Sequence, residues 1–385
     1  MHDQTSALAP GPLNGIRVLD FSMFLAGPYC TRLMADMGAE IIKVEPPGGD
    51  FLRHAAPFRD GKSAYFGQIN CGKKSLELDM KSDQGREVVR RLTAKVDVVL
   101  ENFRPGVMAR LGLDYDALSA LRPDLIYCSV SGYGQKGPGA QLPAFAPIIH
   151  AASGYDLIMM DYQGIKDRPP TTRSTVADVL GAMHAFGAIN AALVQRLRTG
   201  RGQYIDVAMM DAIHNLLGYE YQAAQMENPD RPIVFSPIRT TNGFVMVAPV
   251  SPANFAALAG AAGRPELIDD PRFADIATRV QNWDLLLAEI EQWSLTQSTD
   301  ACEGAIQAAG CPCTRYLNLG QSMAEPQITA RGAAVQMGGV KDPYMVANCP
   351  AQFTGADVGA RPWVPNLGQH NGEFFAEVGL VPATA

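Results

Sequence analysis

The chain has 385 residues, of which 47% are hydrophobic and 18% charged, the composition of a folded soluble protein rather than of a disordered one. Its 32 basic and 39 acidic residues give a net charge of −7, which argues against general nucleic-acid binding, so a polyanionic ligand would need a local basic pocket. No basic segment followed by an apolar run opens the sequence, and no apolar stretch reaches the ~18 residues of a membrane span, so we expect a cytoplasmic protein that makes no membrane contact.

Seven cysteines are scattered along the chain, and we expect them to be reduced and mostly buried, since an odd number in a long chain does not indicate a disulfide framework. Cys311 and Cys313 are too closely spaced for the usual zinc site, and no His or Cys lies near them at ligand spacing. We therefore predict no metal site.

The first predicted elements alternate between strand and helix. Residues 15–21, GIRVLDF, are rich in β-forming residues and predict a first strand. A loop and then a helix follow, and the helix is closed by Gly38. Residues 39–45, AEIIKVE, predict a second strand. This order predicts a parallel sheet with a right-handed crossover. No G-x-G-x-x-G follows the first strand, which argues against a nucleotide-dependent oxidoreductase.

Two further predicted strands end in loops that favour ligand binding. A helix predicted over 82–95 precedes the strand 96–101, which leads into the phrase ENFRPG. The strand 125–130 leads into the glycine-rich loop SGYGQKGPG. Because the carboxyl ends of parallel strands meet at one edge of a sheet, we expect a ligand site there.

Apolar residues recur every three or four positions after Asp178, which predicts an amphipathic helix that ends near Arg198. Its many Gly and Ala residues would let another backbone or a ligand come close. We expect Asp178 to be the N-cap of this helix. The positive end of the helix would then lower the pKa of the carboxyl group and keep it ionised, as a nucleophile requires.

The sequence changes character near residue 220, where a polar, proline-bearing stretch precedes a predicted strand over 239–249. Helices rich in Ala and Leu follow, at 255–262, 284–293 and 300–309. We therefore predict an α/β protein of roughly two domains. A large Rossmann-like domain with a parallel sheet is built from both chain ends, residues 1–220 and 325–385, and a smaller α+β domain, residues 221–324, is inserted between them.

Several phrases resemble, in the same order, those of the class III CoA-transferase family (CaiB/BaiF family), to which formyl-CoA transferase and carnitine CoA-transferase belong. They are DFSMFLAGP, GAEIIKVEPPGGD, NCGKKSLELD, ENFRPG, SGYGQKGP and ADVLGAMHAFGAINAALVQRLRTGRGQYIDVAMMDA. The resemblance covers residues 13–381. It implies an enzyme that moves CoA from an acyl-CoA thioester to a small carboxylic acid, with Asp178 as the covalent nucleophile, and an interlocked homodimer.

The same resemblance places the CoA site in loops of the large domain. It implies contacts to CoA from Phe24, Leu25, Ala26, Lys73, Asn102, Phe103, Arg110 and Met209. Lys43 and Arg104 are our additional candidates, since the phosphates of CoA need several localised cations. We expect the backbone N–H groups of residues 179–181 to stabilise the oxyanions. The thioester energy is kept throughout such a transfer, so the reaction requires neither ATP nor a metal.

Two alternatives remain at this point. One is a 2-methylacyl-CoA racemase (epimerase) of the same family, which uses a His and an Asp, but Phe145 and Ala146 occupy the corresponding positions and His150 comes five residues after Phe145. The other is a non-catalytic CoA-binding subunit, which would not need Asp178. The apolar residues around Phe145 indicate an acyl pocket less polar than an oxalate site, while Arg173 leaves dicarboxylates possible.

Overall fold

The computed structural model describes residues 9–171, 173, 175–229, 235–339 and 341–381; most of the N-terminal segment from which we predicted no secretory signal lies outside them. The strands are β1 Arg17–Asp20, β2 Glu40–Glu45, β3 Phe58–Arg59, β4 Lys62–Ser63, β5 Lys74–Glu77, β6 Val98–Glu101, β7 Ile126–Ser131, β8 Gln203–Ala208, β9 Ile238–Arg239, β10 Phe244–Val247, β11 Cys313–Arg315, β12 Ala334–Gln336 and β13 Met345–Ala347. The helices are α1 Ala26–Asp36, α2 Ala64–Asn70, α3 Asp83–Thr93, α4 Val107–Leu111, α5 Tyr115–Ser119, α6 Ala146–Ala152, α7 Tyr155–Tyr162, α8 Val176–Thr199, α9 Met209–Leu216, α10 Gly218–Ala223, α11 Pro252–Ala261, α12 Ile276–Gln281, α13 Trp283–Ser294, α14 Thr299–Ala308, α15 Leu319–Met323, α16 Pro326–Ala330 and α17 Asn371–Glu377.

Six parallel strands form the central sheet in the order β5-β2-β1-β6-β7-β8, which confirms the predicted α/β architecture with a parallel sheet. Leu19 of β1 pairs with Ile42 of β2 on one side and with Val99 of β6 on the other. The strands of this sheet that follow β1 in the chain, β2 and β5, lie on one side of it, and those that follow β6, namely β7 and β8, lie on the other side. A crevice therefore opens beyond the carboxyl ends of these two strands, where open parallel sheets bind their ligands.

Helices cover both faces of the sheet, because its strands are apolar on both sides. On one face, α1 and α8 pack together, and Ile189 of α8 is fully buried in the same cluster as Val18 and Leu100. On the other face, the buried Leu92 of α3 and Phe374 of α17 belong to one cluster. The helix predicted over 82–95 is confirmed, with Ser82 as its N-cap.

Helix α8 begins two residues before Asp178, at Val176, and ends at Thr199, close to the predicted end. Gly200 then takes a left-handed φ of 69°, which stops the helix. In the part of the chain that the structure describes, α8 is also the one helix long and apolar enough to cross a membrane by length and composition. We had expected no such stretch. The core helix of a soluble protein passes the same test, and α8 packs on α1, α9 and β7.

The chain divides into two compact units, Met1–Gln222 with Ala330–Ala385, and Ala223–Thr329. The second unit contains the antiparallel sheet β11-β10-β9 and its own apolar core around Phe255 and Leu258. Its three predicted helices are confirmed as α11, α13 and α14. The domain limits that we read from the sequence, at residues 220 and 324, stay a prediction.

The seven cysteines are all unpaired thiols, and all but Cys313 are buried, as predicted. Burial raises the pKa of the Cys71 thiol to about 11, so this group stays protonated and unreactive near neutral pH. Among the described residues, no three His, Cys, Asp or Glu side chains are placed to hold a metal ion.

Candidate active site

The loop after β1 and the start of α1 carry three of the predicted CoA-binding residues, Phe24, Leu25 and Ala26, and a fourth, Asn102, holds this loop in place. The side-chain oxygen of Asn102 accepts a hydrogen bond from the Met23 backbone N–H at 2.9 Å, and its amide nitrogen donates to the Met23 carbonyl at 2.8 Å. Asn102 follows β6, so these two bonds tie together the loops at the carboxyl ends of β1 and β6. The Asn102 amide thereby fixes the position of the loop that lines the crevice.

Phe24 has an unusual backbone conformation for a side chain of its size. Its φ is +63°, in the left-handed region that costs an L-residue roughly 1–2 kcal/mol. The ring lies 5.5 Å from that of Phe51 and 5.6 Å from that of Phe145, measured between centroids. The loop geometry thus places an aromatic surface at the mouth of the crevice, and such strained residues often occur at binding sites.

Lys43 and Lys73, two of the predicted CoA contacts, are completely buried behind this loop. The Lys73 ammonium donates to Asp20 at 3.2 Å and to Thr31 at 2.7 Å. The Lys43 ammonium lies 2.8 Å from Asp50. Both cations are therefore committed to internal ion pairs, and a phosphate contact for either stays a prediction that this geometry does not favour. The pattern of charges in the sequence could not show this, because it does not reveal burial.

Asp178 lies in the first turn of α8 but does not cap it, so our N-cap prediction is wrong. The N-cap position is Thr175, whose side chain makes no capping hydrogen bond, and Asp178 is the third residue inside the helix. Gly181, one turn further on, allows the helix to approach the residue that follows β8, since a Cβ atom there would lie 3.0 Å from the Met209 side chain. This close approach brings Asp178 to the same edge of the sheet as the β1 and β6 loops.

Asp178 is half-buried, and the partial desolvation of its carboxyl group raises its pKa to about 6. The predicted lowering of the pKa by the positive end of the helix is therefore wrong, since desolvation has the larger effect. Among the described residues, none donates a hydrogen bond to this carboxylate. A carboxylate that is poorly solvated and not engaged in capping keeps more of its nucleophilic reactivity.

A pocket of about 230 Å³ joins Asp178 to the crevice. Its lining includes eight of the residues predicted for the site, Phe24, Leu25, Ala26, Asn102, Phe103, Arg104, Met209 and Asp178. It also includes Phe145, which the sequence assigned to the acyl pocket, and residues that the sequence reasoning did not single out, among them Met23, Ser131 and Leu142. The Ser131 hydroxyl is buried and has no hydrogen-bonding partner in the described part of the chain. The feature of the sequence that could have indicated Ser131 is its position at the start of the glycine-rich loop after β7.

Arg104 and Arg110 remain accessible, in contrast to the two buried lysines. Arg104 lines the pocket of Asp178 and also an adjacent pocket of about 290 Å³ between the sheet and α4 and α5. Arg110 lies outside the Asp178 pocket, near Gly106 of the same loop. These two guanidinium groups are thus the predicted cations that can meet a phosphate without breaking an internal ion pair.

Tyr65 of α2 is a neighbour of Asp178 that sequence reasoning missed. Burial raises the pKa of its phenol, and the negative charge of Asp178 raises it further, while the positive charge of Arg173 acts in the opposite direction. Tyr65 is therefore within electrostatic reach of both charged groups. No spacing or motif in the sequence indicates this proximity, because Tyr65 lies between two of the recognisable phrases.

The backbone donors that we predicted for the oxyanions, residues 179–181, are not free. The Val179 N–H donates to the Thr175 carbonyl at 3.0 Å. The backbone N–H groups of the next residues are likewise directed at carbonyl groups of the first helical turn. The N–H groups without a partner inside the helix are those of its first positions, up to Asp178 itself. The prediction was wrong because the helix starts three residues earlier than expected, with Thr175 rather than Asp178 at the N-cap.

The chain is similar over nearly its whole length to known proteins. The sequence profile of CoA-transferase family III matches residues 13–371. Acetyl-CoA:oxalate CoA-transferase of Acetobacter aceti is 35% identical, with 98% of each chain covered. Succinate–glutarate CoA-transferase of Agrobacterium fabrum is 33% identical, with 97% of each chain covered. The crystal structure of a CaiB/BaiF family protein from Brucella suis superposes with a TM-score of 0.84 at 33% identity, over 96% of this chain and 100% of that one.

Proposed function

Since the chain belongs to CoA-transferase family III, it is an enzyme that transfers CoA between an acyl-CoA and a carboxylic acid, and we propose that Asp178 is the residue through which CoA passes. The observation that carries this proposal is the position of Asp178. Its carboxylate is partly desolvated and lies in one pocket with the loops after β1 and β6. A desolvated carboxylate beside a thioester site can form covalent acyl intermediates.

The proposed reaction keeps the thioester energy in covalent intermediates. The Asp178 carboxylate attacks the thioester carbonyl, and the C–S bond breaks to give a mixed anhydride and free CoA thiolate. The thiolate attacks the aspartyl carbonyl, releases the donor acid and leaves an aspartyl-CoA thioester. The acceptor carboxylate attacks that thioester to form a second anhydride, and the thiolate then attacks the acceptor's acyl carbon, which frees Asp178. No proton is gained or lost overall.

The CoA moiety would lie along the crevice between β1 and β6. Phe24 offers its ring to the pantetheine arm, and the loop from Asn102 to Arg104 forms the opposite wall. Arg104 and Arg110 would neutralise phosphates, since both are exposed and a guanidinium binds phosphate oxygens in pairs. The Ser131 hydroxyl, which is buried in the pocket lining without a partner, can donate to the developing oxyanion.

We further propose that the acid substrates are dicarboxylates. The relatives described above are named for oxalate and for succinate and glutarate. In this chain Arg173 is exposed and is within electrostatic reach of Tyr65, as is Asp178. A guanidinium at that position can pair with the carboxylate that does not react, while the apolar Phe145 lines the pocket near the reacting end.

We also propose a homodimer, because α8 exposes a row of large apolar side chains in the single chain. They are Val179, Met183, Val194 and Leu197, and Leu197 is 85% exposed. Large apolar side chains exposed along one helix are typical of a contact with another protein, and a second copy of the chain is the simplest occupant. The mass in solution, measured by light scattering under native conditions, tests this. A monomer at micromolar concentration would contradict it.

A screen of acyl-CoA donors against carboxylic acid acceptors tests the proposed substrate class. We expect exchange with succinyl-CoA or a related dicarboxylic donor, and at least tenfold slower exchange with acceptors of the same length that lack the second carboxylate. The Arg173→Gln variant should lose most of this preference. Equal rates with monocarboxylic acceptors would contradict the proposed class, without affecting the assignment of Asp178.

A further inference from the structure

The first turn of α8 obtains its cap from another helix. Ala177, the residue before Asp178, donates its backbone N–H to Nε2 of His150 in α6 across 3.1 Å. The His150 ring is fully buried, and its centroid lies 5.1 Å from that of Tyr155. The contact therefore joins two helices through a side chain that has no access to solvent.

This bond replaces the one that an N-cap side chain normally provides. An N-cap side chain accepts from the second or third N–H of its helix, and Ala177 is the second residue of α8. Thr175, at the N-cap, makes no such bond, and Asp178 is directed into the pocket instead. A buried N–H without a partner is costly, so the imidazole supplies the acceptor that the local sequence does not.

We propose that His150 is a positioning residue that fixes the first turn of α8 and thereby leaves the Asp178 carboxylate free to react. This inference rests on the proposed role of Asp178. If Asp178 capped its own helix, its carboxylate would be turned back toward the backbone and stabilised by it. With His150 as the acceptor, the two tasks are divided between two side chains.

The bond also fixes the chemical form of the imidazole. Nε2 accepts a hydrogen bond only when it carries no proton, so the ring is neutral with its proton on Nδ1. Nδ1 is buried and has no partner among the described residues. Burial holds the pKa of His150 below its usual value, although the negative charge of Asp156 opposes this. Burial and the hydrogen bond from Ala177 together keep the ring neutral, with Nε2 as the acceptor.

Two substitutions of similar size test the hydrogen-bond acceptor of His150 independently of the volume of its ring. In His150→Gln the side-chain oxygen can reach the place of Nε2 and accept from Ala177, whereas His150→Met fills the space without an acceptor. We expect His150→Gln to keep kcat within about threefold of wild type. We expect His150→Met to lower kcat by about tenfold or more while KM for the acyl-CoA changes by less than about threefold, since a small displacement of the nucleophile affects the chemical step more than binding.

The measurements are steady-state CoA exchange and thermal unfolding on both variants, with Asp178→Asn as the control. If Asp178→Asn is active, the proposed function itself fails. If Asp178→Asn is inactive but His150→Met retains wild-type kcat, only the role of His150 is overturned. Equal losses of kcat in the Gln and Met variants would also overturn it, because the acceptor would then make no difference. Should His150→Met not fold, His150→Asn, whose oxygen cannot reach the Nε2 position, replaces it with the same expectation.

Discussion

Both polar atoms of the Asn102 side chain are bonded to the backbone of Met23, one accepting at 2.9 Å and the other donating at 2.8 Å. The resemblance to CoA-transferases implied that Asn102 contacts CoA. In the structure its amide group instead joins the loop after β6 to the loop that carries Phe24. Its effect on CoA binding would then be exerted through the shape of the crevice.

The Asn102→Ala variant should therefore bind acyl-CoA more weakly. It leaves the N–H and the carbonyl of Met23 without their partners, and we expect KM for the acyl-CoA to rise by about tenfold with a smaller change in kcat. The Asp side chain of Asn102→Asp can still accept from the Met23 N–H but cannot donate, so its KM for the acyl-CoA should lie between those of wild type and Asn102→Ala. Steady-state kinetics on the three proteins decides this, and an unchanged KM in Asn102→Ala would contradict it.

Phe24 allows its ring and its backbone strain to be tested separately. Phe24→Gly and Phe24→Ala both remove the ring, so both should raise KM for the acyl-CoA to a similar extent. The glycine variant should be more stable than the alanine variant by about 1 kcal/mol, because its φ of +63° is strained only for a residue with a Cβ atom. Urea unfolding measures the difference. Equal stability of the two variants would mean that the loop relaxes when the ring is lost.

Lys73 should prove to be a structural residue. Burial raises the pKa of the Asp20 carboxyl, but the charges of Lys73 and Lys43 outweigh this and hold it below its usual value. Lys73→Met would remove the ion-pair partner of the buried Asp20, at a cost of about 3–5 kcal/mol in the free energy of unfolding, and the double variant Asp20→Asn with Lys73→Met should recover part of it. A large rise in KM for the acyl-CoA without any loss of stability would instead favour a direct phosphate contact.

The pKa of Asp178 predicts how the enzyme responds to pH. The carboxylate form is the nucleophile, and its pKa is raised to about 6, so kcat/KM should be constant above this pH and fall about tenfold per pH unit below it. Because the folded protein binds this proton more tightly than the unfolded chain, ionised Asp178 lowers stability above about pH 6. Asp178→Asn should therefore be at least as stable as wild type near pH 8. Any excess in its free energy of unfolding over that of wild type should disappear below about pH 4, where Asp178 is protonated in both the folded and the unfolded state. An Asn variant much less stable near pH 8 would reveal a structural role for the carboxylate.

The sequence predicted the parallel sheet and the helix that carries Asp178, because both depend on local patterns. Apolar runs separated by turns located the strands, and the fixed spacing from Asp178 to the glycine-rich turn after α8 identified the block. The start of α8 was missed by three residues because the cap comes from His150, 27 positions before Ala177, and no local pattern encodes a contact between two helices. The burial of Lys73 was missed for a related reason, since its partner Asp20 lies 53 positions away.

The electrostatic influence of Asp178 and Arg173 on Tyr65 was equally hidden. Arg173 was named from the sequence as a possible partner for a dicarboxylate, but Tyr65 lies on α2, which packs on α1, and no motif links it to either residue. Sequence spacing identifies residues within one element or loop. A relationship between residues on separate elements, such as Tyr65 and Asp178, becomes visible only once the crossovers have been folded around the sheet.

The covalent role of Asp178 is tested most directly by trapping. Wild-type enzyme incubated with an acyl-CoA and no acceptor, then treated with hydroxylamine and digested, should yield a peptide whose mass shows a hydroxamate at Asp178, together with loss of activity. The Asp178→Asn variant, which cannot form the anhydride, should show neither the modification nor transfer above the background rate. Transfer at a near wild-type rate by Asp178→Asn, or a hydroxamate on a different residue of the wild-type protein, would contradict the assignment of Asp178 as the nucleophile.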